Sequence, residues 1–121
     1  MNFRDRQVGG VTISSASGRI DLSNADTFRD ALSAALAKTT TALVIDLSEL
    51  EYISSAGLRS LMIVFKAAKA EGKAFSVAAL KPLVLEIFTI SRFNLVFPLF
   101  DTVRDAIKAQ APNALPQFDA H

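Results

Sequence analysis

The stretch Asp46-Leu47-Ser48-Glu49-Leu50-Glu51-Tyr52-Ile53-Ser54-Ser55-Ala56-Gly57-Leu58-Arg59 decides how the chain is read. Just before it, Ala42-Leu43-Val44-Ile45 continues into Asp46-Leu47 as a near-continuous apolar run. Such a run predicts a central strand covered on both faces. Ser48 to Tyr52 then reads as a short connection, with Leu50 and Ile53 turned inward. A helix is expected from about Ser55 to Glu71, with Leu58, Leu61, Met62, Phe65 and Ala68 or Lys69 on its buried stripe and Gly72 closing it at C′. Ser54-Ser55 therefore falls where a helix N-terminus begins.

Upstream, Gly9-Gly10 between β-prone residues predicts a hairpin joining strands at about 2–8 and 11–18. Gly18-Arg19-Ile20-Asp21 leads out to a first helix over about Ala25 to Lys38, with Ser23 or Asn24 as its N-cap. Phe28, Ala31, Leu32, Ala35 and Leu36 form one helical face. Downstream, Lys73 to Ala79 alternates as a strand, and Pro82 opens a third helix reaching about Thr89. Leu95-Val96-Phe97 is expected to be a short final strand, and Asp101 to cap a fourth helix ending near Ala109. Residues 111–121, with Pro112 and Pro116, read as a flexible C-terminal tail after a single domain over 1–110. The fold class is α/β: a small mixed sheet of about four or five strands with about four helices packed on it.

The chain has 121 residues, half of them hydrophobic, a mean hydropathy of +0.31 and a formal net charge of +1. That composition supports one well-buried core and offers no electrostatic case for nucleic acid. No cysteine is present, so disulfides and thiolate chemistry are excluded. The early Arg4, Asp5 and Arg6 do not suit a signal peptide, and Glu86, Arg92 and Pro98 interrupt the most apolar stretch. A cytoplasmic protein is the expectation.

Enzyme templates find little support. The single histidine, His121, is the last residue, so a Ser-His-Asp system has no positioned base. There is no Gly-x-Ser-x-Gly elbow, Walker A loop or Gly-x-Gly-x-x-Gly loop, and no metal-ligand spacing. The Asp26/Asp30 pair reads as a solvated helix face. For Ser54-Ser55 two readings stay open. One serine can simply cap the helix. Alternatively, a hydroxyl on an exposed strand-to-helix turn is a phosphorylation site, where backbone N–H groups and the helix dipole tolerate the added charge. Gly57 either leaves room for a partner or packs closely against a neighbouring element.

Tyr52-Ile53-Ser54-Ser55-Ala56-Gly57-Leu58-Arg59 resembles the signature of STAS domains of the anti-sigma factor antagonist family. Gly18-Arg19-Ile20-Asp21 resembles that family's Gly-x-Leu/Ile-Asp segment, and the element order matches from Val11 to about Ala109. The resemblance implies a partner-switching regulator rather than an enzyme, with no cofactor and no metal. Such a protein binds an anti-sigma factor that is also a serine kinase, is released when the kinase uses ATP to phosphorylate it, and is reset by a PP2C-type phosphatase. By alignment the phosphoacceptor is Ser55, two residues before Gly57, with Ser54 the second choice. Ser54 stands where many relatives carry Asp, and Ala56 where they carry Ser or Thr. The same resemblance places Asp21, Ser23, Asn24, Ser54, Ser55, Gly57 and Leu58 on the partner-binding surface. Asp21 also reads simply as a surface residue beginning a turn. The alternative function is a STAS interaction subunit of a transport or secretion system that phosphorylation does not regulate. Length and an intact Ser55 favour the first.

Overall fold

The structure, a computed structural model, describes residues 1–120; His121 lies outside the described residues. The elements run β1 (Asn2–Val8), β2 (Val11–Ile20), α1 (Ala25–Ala37), β3 (Ala42–Ile53), α2 (Ser55–Ala70), β4 (Ala74–Ala78), α3 (Pro82–Ile90), β5 (Leu99–Phe100), α4 (Val103–Gln110) and α5 (Leu115–Asp119). Single 3-10 turns occupy Phe93–Leu95 and Pro112–Ala114. The five strands form one sheet in the order β1-β2-β3-β4-β5. β1 and β2 are an antiparallel hairpin, while β2, β3, β4 and β5 are parallel. Gly9 and Gly10 turn the hairpin at φ +51° and +84°, which a side chain would strain.

Two apolar clusters cover the two sheet faces. On one, α1, α2 and α3 bury Phe28, Leu32, Leu61, Val84 and Phe88 against Leu43, Ile45 and Val77. On the other, Ala106, Ile107, Ala111 and Ala114 cover Val8, Val11, Ile13 and Val44. Leu43, Val44 and Ile45 thus alternate between the two clusters, and this is why β3 is apolar at successive positions.

The structure differs from the sequence reading in four places. β3 does not end at Leu47: Ser48 to Tyr52 continue as strand, because β2 runs on past Gly18 to Ile20 and supplies partners. Gly18 pairs with Leu50, Arg19 with Tyr52 and Ile20 with Ile53, after register shifts that absorb the irregularity. Leu95-Val96-Phe97 is not a strand. The Phe97 ring is buried among Phe65, Phe75, Phe88 and Phe93, and pairing with β4 begins beyond Pro98, at Leu99. Thr102, not Asp101, caps α4, its Oγ1 accepting from Asp105 N at 3.0 Å. Residues 112–119 are not an extended tail. They fold into a 3-10 turn and α5, bury Ala111 and Ala114, and are tied back by the Arg104–Asp119 ion pair and by Arg6 over the Phe118 ring.

Candidate functional site

The C-terminal ends of β2 and β3 lie side by side, and the chain leaves both towards the same sheet face. The β3–α2 junction is held from across the sheet: Ser54 N donates to Ile20 O at 2.8 Å. Ser54 is extended, with φ −85° and ψ 173°, and its Oγ accepts from Gly57 N at 3.2 Å. Its carbonyl accepts from Leu58 N at 3.0 Å. Ser54 is therefore the N-cap of α2, with its hydroxyl committed to the first turn. Ser55 is the first helical residue and is exposed. The two adjacent serines are thus distinct in role.

Gly57 and Leu58 point the other way. Leu58 is 1% exposed, inside the cluster formed with α1 and β3, so it cannot meet a partner as the sequence reading expects. A Cβ on Gly57 would lie 2.6 Å from Ile53 Cγ1 and 2.8 Å from Ile20 Cγ2. Its lack of a side chain lets α2 sit down on the ends of β2 and β3, the close-packing reading of this glycine. Ser60 Oγ, buried, donates to Ala25 O at 2.8 Å and pins α2 to the start of α1.

The β2–α1 turn is braced by its own polar groups. The Asp21 carboxylate accepts from Ser23 N at 2.9 Å and from the Ser23 hydroxyl. These two bonds, the hydroxyl foremost, hold the Asp21 carboxyl below the usual carboxylate range against a smaller opposing effect of desolvation, with Arg19 helping weakly. Asn24 occupies the N-cap position of α1 but makes no side-chain cap bond. Its Oδ1 accepts from Asp21 N and its Nδ2 donates to Arg19 O, both at 2.9 Å. Arg19 stacks on the Tyr52 ring at 4.5 Å, a pair the sequence reading did not single out. Asp21, Ser23 and Asn24 are thus brought to the same end of the sheet as Ser54 and Ser55.

Among the described residues no cluster of three His, Cys, Asp or Glu side chains could hold a metal ion. No described helix is long and apolar enough to cross a membrane. A surface cavity of about 490 Å³ lies on the opposite sheet face, lined by Arg4, Arg6, Ile13, Ser15, Asp46 and Phe118 among others, away from the serines.

The STAS domain family matches residues 2–106 of the chain. The proposed anti-sigma factor antagonist BtrV of Bordetella bronchiseptica is 35% identical over 111 residues, covering 92% of this chain and 95% of that protein. The anti-sigma-F factor antagonist RsfB of Mycobacterium tuberculosis is 34% identical over 98 residues, covering 81% and 80%. The crystal structure of an anti-sigma factor antagonist from Mycobacterium paratuberculosis superposes with a TM-score of 0.82 at 32% identity, covering 90% of this chain and 92% of that one.

Proposed function

The chain belongs to the STAS domain family, and from that premise we propose that it is an anti-sigma factor antagonist whose binding is switched by phosphorylation of Ser55. The observation that carries this reading is the division of labour at the start of α2. Ser54 Oγ is engaged as the cap, while Ser55 is exposed one residue later, at the positive end of the helix. A kinase can meet the exposed Ser55 hydroxyl directly, whereas the half-buried Ser54 hydroxyl is turned back onto Gly57 N.

The unphosphorylated chain binds an anti-sigma factor that is also a serine kinase. Transfer of the γ-phosphoryl group from ATP to the Ser55 hydroxyl adds close to two negative charges at about neutral pH. Helix N–H groups tolerate that charge in the free protein. Within the complex, repulsion and desolvation at the interface cost a few kcal/mol, which lowers affinity by orders of magnitude. A PP2C-type phosphatase restores the binding form. Asp21, fixed by Ser23 and Asn24 beside the junction, contributes an oriented carboxylate to the same surface.

The test is incubation with a purified anti-sigma factor of the serine-kinase class and ATP, followed by mass-spectrometric site mapping. The expected product carries one phosphate on Ser55. Ser55→Ala should bind the kinase and resist release by ATP, and Ser55→Asp should bind weakly. An active, bound kinase that leaves both Ser54 and Ser55 unmodified would refute the reading.

A further inference from the structure

Ser55 opens α2, and the next exposed side chain on that helix is Arg59, four residues on. Residues at this spacing lie one above the other, with Cβ atoms about 5–6 Å apart. Helical side chains lean towards the N-terminus, so Arg59 is tilted back over the turn that begins with Ser55. Among the described residues its guanidinium has no ion-pair partner. Its own helix offers none: α2 contains no Asp or Glu from Ser55 to Ala70. A solvated arginine is ordinary on a protein surface. This one differs in where it stands and in what it lacks.

The N-terminal end of a helix carries partial positive charge, so an unpaired cation close to it is poorly placed and an anion is welcome. α1 shows the ordinary arrangement. Asp26 stands in its first turn, and Arg29, three residues on, lies 3.4 Å from that carboxylate. α2 has the cation and lacks the anion. A phosphate on Ser55 supplies it, N-terminal to the cation at i,i+4, the order that stabilises such a pair. No other basic residue is placed to do this. Ser60, donating to Ala25 O, marks the flank of α2 that meets α1, and at about 100° per residue Ser55 and Arg59 both lie round the helix from it in the same sense. Arg29 is on α1 and is shared by Asp26 and Asp30. Arg19 lies over the Tyr52 ring, and Tyr52 points to the sheet face opposite its neighbour Ile53, which packs under Gly57 of α2. Lys66 shares the flank of Arg59 but stands about 16 Å from Ser55 along the axis. β4 carries no charge, and the remaining charged groups at this end of β2 and β3, Asp21, Glu49 and Glu51, are acidic.

We infer that Arg59 is the counter-ion that holds the phosphate on Ser55 in the released chain. The inference rests on the Ser55 reading and extends it to the phosphorylated state. A guanidinium presents paired N–H donors that match two phosphate oxygens, and such charge-assisted bonds are about twice as strong as neutral ones. Phosphorylation then does two things at once. It adds an anion of nearly two charges, and it draws the free cation off the surface into an ion pair. The Ser55–Arg59 pair changes from about +1 to about −1, so a partner surface complementary to the unmodified chain meets the opposite sign after modification. Both members belong to one helix, so no other element has to move for the pair to form.

The test installs phosphoserine at position 55 during synthesis of the chain, with no kinase, and follows the phosphate by phosphorus NMR as pH is varied. Its second pKa should fall below the ordinary value of about 6. Arg59→Gln should raise it by about 0.3 or more, a twofold or greater gain in proton affinity, because the dianion loses its partner. Arg59→Lys should fall between the two, keeping the charge without the fork. Lys66→Gln and Arg19→Gln should leave it within about 0.1 of the unsubstituted phosphoprotein. Urea midpoints of the unphosphorylated chains within error of wild type establish that the variants are folded. An unchanged value in Arg59→Gln overturns the inference, since the helix N–H groups then hold the phosphate alone. An equal rise in either control overturns it too, as an effect of net charge. Failure of the pair leaves the switch untouched. Conversely, a low value that depends on Arg59, in a chain that a serine-kinase anti-sigma factor binds but never modifies on Ser55, would sink the switch and keep the pair.

Discussion

Replacing Gly57 by alanine sets two effects of known sign against each other. Alanine is the better helix former by about 0.8–1.0 kcal/mol in a helix interior, and by less in a first turn. Gly57 is helical, so no left-handed backbone stands in the way. The obstacle is space. The new methyl would lie 2.6 Å from Ile53 Cγ1, 2.8 Å from Ile20 Cγ2 and 3.2 Å from Ile53 Cδ1. The first two separations are well inside the ordinary carbon–carbon contact of about 3.5–4.0 Å. Both isoleucines are β-branched, fully buried and fixed by ladder pairing to each other, so neither can swing aside. Overpacking of this kind costs about 1–3 kcal/mol, which exceeds the gain in propensity. Gly57→Ala should therefore lower stability by about 1–2 kcal/mol, read as a drop in urea midpoint at unchanged m. Ile53→Ala removes both Cγ1 and Cδ1 and leaves a cavity beneath the new methyl. In that background Gly57→Ala should cost less, by a coupling of about 1 kcal/mol, the contact with Ile20 Cγ2 remaining. A Gly57→Ala protein as stable as wild type, or a cost unchanged in the Ile53→Ala background, would refute the packing account of this glycine.

Three further outcomes follow from the same contacts. Ser54→Ala should lose about 1 kcal/mol with the N-cap, while Ser55→Ala should change the unfolding free energy from urea titration by less than about 0.5 kcal/mol, since the exposed hydroxyl of Ser55 caps nothing. The Asp21 carboxyl titrates below its unfolded value, so its ionised form contributes stability that is present above the ordinary carboxylate pKa of about 3.9 and is lost as pH falls through the folded value. The difference in urea midpoint between wild type and Asp21→Ala should accordingly be largest near neutrality and shrink in the acid range below about pH 4. Deleting residues 111–121 should destabilise the fold by about 2 kcal/mol or more, because it uncovers Val8, Val11 and Ala106 as well as removing buried Ala111 and Ala114. A truncated chain with an unchanged thermal midpoint would mean that α5 contributes nothing to the second face.

Much of the fold is legible because local signals and burial agree. Gly9-Gly10 between strand formers is a hairpin, and the doubly apolar start of β3 can only be an inner strand. The helical face of Phe28, Leu32, Ala35 and Leu36 is buried as its spacing requires. The failures fall where a local signal competes with a distant partner. Ser48-Glu49-Leu50-Glu51 looks like a connection because its polar residues dominate. Yet Leu50 lies inward between exposed Glu49 and Glu51, the alternation of a half-buried strand, and β2 reaches far enough to pair with it. Pro112 and Pro116 read as breakers of structure. Here both stand in the first turn of a helical segment, where a missing N–H costs nothing. What makes that segment helical is the open apolar face of β1, β2 and α4, which no local window contains.

The site is less legible than the fold for a related reason. Position along the α2 motif does not say which way a side chain points. Between Ser54 and Leu58 the functions change residue by residue: a cap, an exposed hydroxyl, and then two positions packed inward. Helical geometry accounts for the split, since Leu58 lies one turn after Ser54 and shares the buried face with Leu61. Treating Gly57 and Leu58 as partner-facing extends the exposure of Ser55 along the sequence, where it does not extend in space. The surface around Ser55 is instead assembled across the sheet with the β2–α1 turn, some thirty residues earlier in the chain, because β2 and β3 pair in parallel to their ends. Leu22 is therefore invisible to periodicity: it belongs to no stripe and sits among turn-forming residues. Only the pairing of β2 with β3 to their ends places it beside the start of α2.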